Sequence, residues 1–99
     1  MPLVIDPAKV EIKALKQAAA WRGKRVLELG CGDGRLTLRL ASLGPSRIHA
    51  LDPDPHDIRL ARRNLPSKLT GLIHYAVGQA EHLRQPDGAF DIVVFSWAL

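Results

Sequence analysis

Residues 26–34 read VLELGCGDG, and this stretch decides the fold class because an apolar strand pattern runs directly into a glycine-rich turn. Its first half is a run of valine and leucine around one glutamate, which is typical of a buried strand. Its second half places three glycines within five residues, at Gly30, Gly32 and Gly34. A leucine-rich pattern at helical spacing follows directly. Strand, glycine turn and helix in this order indicate a loop whose backbone can lie against a bound ligand.

Working outward, apolar spacing predicts strands and helices in alternation along the chain. Predicted strands cover residues 25–29, 47–51, 72–77 and 90–96; predicted helices cover residues 8–21, 35–43, 54–65 and 79–83. Asp6 followed by Pro7 is a start signal for the first helix. Because strands and helices alternate, we expect an α/β domain whose parallel sheet has right-handed crossovers and helices on both faces.

The composition is that of an ordinary globular chain: of 99 residues, 46% are hydrophobic and 24% charged. The formal net charge is +4, but the basic residues are scattered and aromatic residues make up only 5%, which favours solvated helix faces over a nucleic-acid surface. No apolar run approaches the roughly 20 residues that span a bilayer. The N-terminus also lacks a secretory leader pattern. Since Cys31 is the single cysteine and has no internal partner, we expect a cytoplasmic protein.

Two carboxylates accompany the glycine turn at the positions where a nucleotide ligand needs them. Ligands of open α/β sheets bind at the carboxyl ends of the strands. Glu28 lies at that end of the first predicted strand, and Asp52 follows the second predicted strand. A carboxylate at the position of Asp52 can accept hydrogen bonds from both hydroxyls of a ribose. The alternative role of a helix cap suits Asp54 better, because Asp54 directly precedes Pro55.

Four segments in order resemble the motifs of class I S-adenosylmethionine-dependent methyltransferases. They are VLELGCGDGRLTLRLA at 26–41, HALDPDP at 49–55, YAVGQAEHL at 75–83 and FDIVVFSWAL at 90–99. The resemblance runs from about residue 21 to residue 99 and implies a Rossmann-like fold, with an N-terminal helix in residues 1–22 and the core in residues 23–99. It implies S-adenosylmethionine as cofactor and methyl transfer as activity. It also implies strand order 3-2-1-4-5-7-6, of which this chain would form 3-2-1-4.

The resemblance also assigns cofactor contacts to individual residues. The methionine part of the cofactor would lie against the glycine loop, near Glu28 and Asp33. Asp52 would bind the ribose hydroxyls, and Pro53 would lie against the adenine face. The remaining contacts would come from Cys31 in the loop, from Gln79 and Ala80 at the adenine edge, and from Ser96 near the methyl group. Purely structural roles remain open for three residues. Gln79 can cap a helix. Cys31 can be a core residue rather than a nucleophile, and Trp97 can be a core residue rather than a substrate contact.

The sequence bears on the class of methyl acceptor only through a pattern that is absent from the fourth motif. Residues 90–99 contain no Asn-Pro-Pro-aromatic sequence, which argues against many amine methyltransferases and favours a small-molecule acceptor. No catalytic base can be assigned, and the four histidines lack metal-ligand spacing. Three alternatives remain: a non-catalytic cofactor-binding module that needs a partner chain, an NAD-dependent oxidoreductase and a nucleic-acid methyltransferase. The oxidoreductase fits less well, because the loop reads G-x-G-x-G rather than G-x-G-x-x-G.

The sequence given stops just after the fourth predicted strand, before the last strands of the seven-stranded fold. We therefore expect the fourth strand, within residues 90–96, to lie at an edge of the sheet with unpaired backbone groups. An apolar edge strand is a site of pairing with other chains. The sequence thus predicts either that this chain is a fragment or that it pairs through this strand with another copy or another chain.

Overall fold

The computed structural model describes residues 2–4, 11–79 and 89–96. Strands and helices alternate as follows: β1 (Pro2–Val4), α1 (Ile12–Ala18), β2 (Arg25–Leu29), α2 (Arg35–Ala41), β3 (Arg47–Asp52), α3 (Pro55–Arg63), a 3₁₀ turn (Ser67–Leu69), β4 (Ile73–Val77) and β5 (Ile92–Phe95). Within these ranges no helix has the length and apolar content needed to cross a lipid bilayer.

The described strands form one parallel sheet in the order β1-β5-β2-β3-β4. The order 3-2-1-4 predicted from the motifs is therefore confirmed as β4-β3-β2-β5. Register brings strand ends together: Leu29 lies opposite both Leu51 and Phe95. The predicted α/β fold, with β2 central and the glycine loop at its carboxyl end, is correct.

The main core lies between the described helices and one face of the sheet. The strands β2, β3 and β4 advance in one direction, so right-handed crossovers place α2 and α3 on the same face. The core cluster joins Leu15 of α1, four side chains of α2 and α3 and the inward side chains of the strands: Leu36, Leu40, Ile58, Ala61, Val26, Ile48, Ala50, Ile73, Tyr75, Ile92 and Val94. The connection from β4 to β5 includes residues 80–88, which lie outside the described ranges. The described residues therefore confirm helices on one face of the sheet, and helices on the other face stay a prediction.

The first helix is shorter than predicted. Glu11 is extended (φ −115°, ψ 148°), so α1 begins at Ile12 rather than at residue 8. At the other end, the buried indole Nε1 of Trp21 donates to the Leu15 carbonyl at 2.6 Å. In a continuing helix that carbonyl would accept from residue 19 instead, and the chain is already extended at Ala19. The predicted start signal at Asp6 lies outside the described residues.

The other helices begin where the sequence places them. Asp54 caps α3, since its Oδ1 accepts from the His56 amide at 2.9 Å and Pro55 occupies the first helical position. α2 ends at Ala41, two residues earlier than predicted. Of the helical turn predicted at 79–83, Gln79 is described and is not helical; residues 80–83 are not among the described residues.

The predicted open edge on the fourth strand is wrong. β5 pairs on its outer side with β1, in a register that matches Pro2 with Val93 and Val4 with Phe95. The backbone groups that were expected to be unpaired therefore have a partner within the same chain. The outermost strand on this side is β1, a three-residue segment that the sequence analysis did not predict as a strand.

Candidate functional site

Three segments meet at the carboxyl edge of the sheet, after β2, β3 and β4. The amides of Gly30 and Cys31 both donate to the Leu51 carbonyl, at 2.8 and 3.0 Å. On the other side of β3, the Gly78 amide donates to the Asp52 carbonyl at 3.0 Å. These bonds fix the glycine loop, the end of β3 and the segment after β4 relative to one another.

The Asp52 side chain fastens the glycine loop to the end of β3. Its Oδ2 accepts from the Gly32 amide and its Oδ1 from the Asp54 amide, each at 2.9 Å. Gly32 has φ +56°, in the left-handed region that favours glycine. A carboxylate oxygen has two lone pairs, so each oxygen of Asp52 keeps acceptor capacity for a further donor.

The outer side of this edge is open. A Cβ built on Gly32 would meet no atom within 4 Å. Pro53 and Gln79 are exposed beside Asp52, which is itself half-buried. Asp33 carries an ion pair with Arg35, whose Nε lies 3.0 Å from Asp33 Oδ2. The predicted adenine and ribose positions therefore lie at one accessible edge; Ala80 and Trp97 lie outside the described residues.

Glu28 does not reach this open edge. Its side chain is fully buried, and the hydroxyls of Thr37 and Ser96 donate to its two oxygens at 2.5 Å each. Burial raises the pKa of Glu28; the two hydroxyl bonds oppose that rise, and the nearby charge of Asp52 adds to it. Ser96 is likewise buried. These two predicted site residues thus lie beneath the loop and bond to each other rather than facing outward.

The Cys31 side chain belongs to the core. It is 6% exposed, and its thiol donates weakly to the Gly32 carbonyl at 3.7 Å. Burial, with the carboxylates of Glu28 and Asp52 nearby, raises the pKa of the thiol far above its ordinary value. A thiol that stays protonated is a poor nucleophile, so the geometry favours packing for this side chain.

Two residues of the region, Tyr75 and Thr37, were missed by the sequence analysis. A Cβ built on Gly34 (φ +90°) would lie 2.5 Å from the Tyr75 hydroxyl oxygen, so Tyr75 occupies the space that the glycine leaves. Thr37 is fully buried on α2 and holds Glu28. The available signals were a threonine between apolar helix positions, beside Leu36, and a tyrosine at a strand position that faces the same way as Ile73.

The comparison with known families matches the chain over most of its length. The family described as "Methyltransferase domain" covers residues 26–99, which include the loop, Asp52 and the end of β5. The chain belongs to the S-adenosylmethionine-dependent methyltransferase family. The resemblance drawn from the four motifs is therefore confirmed, and the NAD-dependent oxidoreductase alternative is set aside.

Relatives and solved structures share this domain with different acceptors. A Methanocaldococcus jannaschii protein named for protein N5-glutamine methyltransferase activity is 30% identical over 95 residues, covering 96% of this chain and 47% of that protein. The structure of an S-adenosylmethionine-dependent methyltransferase from Mesorhizobium loti superposes with a TM-score of 0.74 at 27% identity, covering 92% of this chain and 41% of that one. Haemonchus contortus phosphoethanolamine N-methyltransferase 1, in complex with phosphoethanolamine and S-adenosylhomocysteine, gives 0.74 at 26% identity, covering 86% and 18%. The chain thus spans less than half the length of each.

Proposed function

We propose that this chain binds S-adenosylmethionine along the carboxyl edge of β2, β3 and β4, and presents it for methyl transfer to a small-molecule acceptor. The observation that carries the proposal is the Asp52 carboxylate bonded to the Gly32 amide at 2.9 Å beneath an open surface. This bond fixes the backbone of the loop. It also orients the Asp52 carboxylate, which can accept hydrogen bonds from the ribose hydroxyls.

The exposed residues divide the proposed contacts among them. Asp52 accepts from the ribose hydroxyls with the lone pairs that the two amides leave, while Pro53 and Gln79 flank the adenine together with Ala80. Gly30, Gly32 and Asp33 contact the methionine part. The other four predicted residues are buried and support the loop. Gly34 and Cys31 let the loop pack closely, and Glu28 and Ser96, which are hydrogen-bonded to each other, lie beneath it.

The cofactor supplies an activated methyl group, so the protein contributes mainly position. The glycine loop holds one end of the cofactor and Asp52 holds the middle, and this leaves the carboxyl end of β5 as the direction of the acceptor. No proton-transfer residue is assigned to the described residues, because Glu28 has both oxygens bonded inside the core.

A small molecule is the proposed acceptor class. Support comes from the lack of an Asn-Pro-Pro-aromatic sequence in residues 90–99 and from a relative whose name gives phosphoethanolamine as acceptor. A protein acceptor, as in the name of the Methanocaldococcus relative, is the alternative outcome. Cys31 is a free thiol, which suits the cytoplasmic location that we include in the proposal.

The cofactor site is tested by replacing Asp52. We expect Asp52→Ala to weaken S-adenosylhomocysteine binding by about 1–3 kcal/mol, because charge-assisted hydrogen bonds to the ribose are lost. Asp52→Asn, which keeps one carbonyl oxygen, should weaken binding less. Isothermal titration calorimetry on the full chain measures both.

Asp54→Ser is the matched control for these variants. It removes a carboxylate two residues away but keeps a side-chain oxygen that can cap α3, so affinity should stay at the wild-type value. Equal affinity of wild type and Asp52→Ala would contradict the proposed site. Tight binding of NAD without S-adenosylhomocysteine binding would contradict the proposed function altogether.

The acceptor class is tested by following the label from methyl-tritiated S-adenosylmethionine. The chain is incubated with a cell extract that ultrafiltration has divided into a small-molecule and a macromolecular fraction, and digestion with protease or RNase then distinguishes labelled protein from labelled RNA. We expect label to transfer into the small-molecule fraction. Label in protein or RNA alone would refute the small-molecule acceptor while leaving the cofactor site in place.

A further inference from the structure

Tyr75 stands directly beneath the glycine loop, although it belongs to neither the loop nor the open edge. The side chain is 6% exposed and lies on β4. Its hydroxyl oxygen and Cζ would lie 2.5 and 3.0 Å from a Cβ at Gly34, and Ala61 of α3 borders the same space at 3.3 Å. Gly34 immediately precedes α2, so the tyrosine contacts the start of that helix from below.

The hydroxyl of Tyr75 also lies beside the first turn of α2. Burial raises the pKa of Tyr75 to about 12, and the neighbouring Thr37 hydroxyl opposes that rise, so the phenol stays protonated at neutral pH. Thr37 donates its own hydroxyl proton to Glu28 at 2.5 Å. The Tyr75 hydroxyl therefore borders both Gly34 and the side chain that holds Glu28.

A buried chain of hydrogen bonds crosses the sheet beside Tyr75. It runs from Thr37 on α2 to Glu28 on β2, and from there to Ser96 at the end of β5. Because each oxygen of Glu28 accepts from one of these hydroxyls, neither end of the chain can shift without breaking a bond inside the core. Buried polar groups are costly when unpaired, so such a chain favours one arrangement of its elements.

The arrangement matters for the ligand edge. Gly34 and Thr37 are three residues apart, so Tyr75 holds both the end of the loop and the first turn of α2. Gly32, whose amide bonds Asp52, lies only two residues before Gly34. A phenyl ring at position 75 would fill most of the same volume, but it would lack the hydroxyl that touches Gly34 and lies beside Thr37.

We propose that Tyr75 is a positioning residue for cofactor binding, whose hydroxyl sets the height of the glycine loop over the sheet through Gly34 and Thr37. The inference rests on the proposed function, since it assumes that the loop receives the cofactor. Tyr75 acts through Gly34 and Gly32 and does not itself contact the ligand.

The test compares Tyr75→Phe with wild type in the full chain. We expect the affinity for S-adenosylhomocysteine to fall by roughly three- to ten-fold, as for the loss of one hydrogen bond. The amide resonances of Gly32 and Gly34 should shift in ¹H–¹⁵N spectra without ligand.

Ile73→Val is the control for a general loss of stability, because it trims a buried side chain on the same strand and face. It should leave both the affinity and the two glycine resonances unchanged. If Tyr75→Phe behaves like Ile73→Val while Asp52→Ala still weakens binding, the role of Tyr75 is overturned and the proposed function stands. If wild type does not bind S-adenosylhomocysteine, both are overturned.

Discussion

Glu28 is the residue at which burial and charge conflict most strongly in the described part of the chain. Its carboxyl group is fully buried, with its pKa raised by that burial and with Thr37 and Ser96 as its hydrogen-bond donors. A raised pKa in the folded state means that folding favours the protonated carboxyl. The resulting stabilisation is present below the ordinary pKa and is lost as pH rises through the folded-state pKa.

Glu28→Gln should therefore flatten the dependence of stability on pH. The amide has the shape of the protonated carboxyl and can bond both hydroxyls, yet it does not titrate. In urea denaturation the free energy of unfolding of wild type, relative to that of the variant, should fall as the pH rises above the ordinary pKa of a glutamate. Glu11→Gln, which changes an exposed carboxylate, should follow wild type. A Glu28→Gln variant as sensitive to pH as wild type would refute this account.

At the level of elements, the edge of the sheet depends on the short strand β1. It covers β5 through three matched residue pairs. Without it, the apolar residues 92–95 would present an unpaired strand edge, which is a site of association between chains. The self-association expected from the sequence should thus appear once this strand is removed.

We expect a chain lacking residues 1–4 to associate in a concentration-dependent manner, measured by size-exclusion chromatography with light scattering. The full chain should show less association at the same concentration. Val4→Ser is the control: it removes an exposed apolar side chain, 65% accessible, but leaves the strand backbone in place. A truncated chain that matches the full chain at every concentration would show that β1 does not protect the edge.

At the level of the whole molecule, the features that could be predicted from the sequence are those that depend on residues close together in the chain. The strand, loop and start of α2 around Gly30–Gly34 follow from patterns within a dozen residues, and the strand order follows from the family resemblance of the four motifs. The contact between Tyr75 and Gly34 could not be predicted, because it joins residues 41 positions apart and depends on strand register. The early end of α1 likewise depends on one indole bond from Trp21 to Leu15.

The pairing of β1 with β5 has a consequence for how the chain acquires its structure. Pro2 and Val93 are partners although about 90 residues separate them, whereas β2 pairs with β3, and β3 with β4, each the next strand along the chain. On a ribosome, β1 is made well before β5, so about 90 further residues must be added before its partner exists. Closing so long a loop is entropically unfavourable and gains only three residue pairs. β1 should therefore dock last during synthesis, and its amides should be among the first to exchange with solvent deuterium in the finished protein.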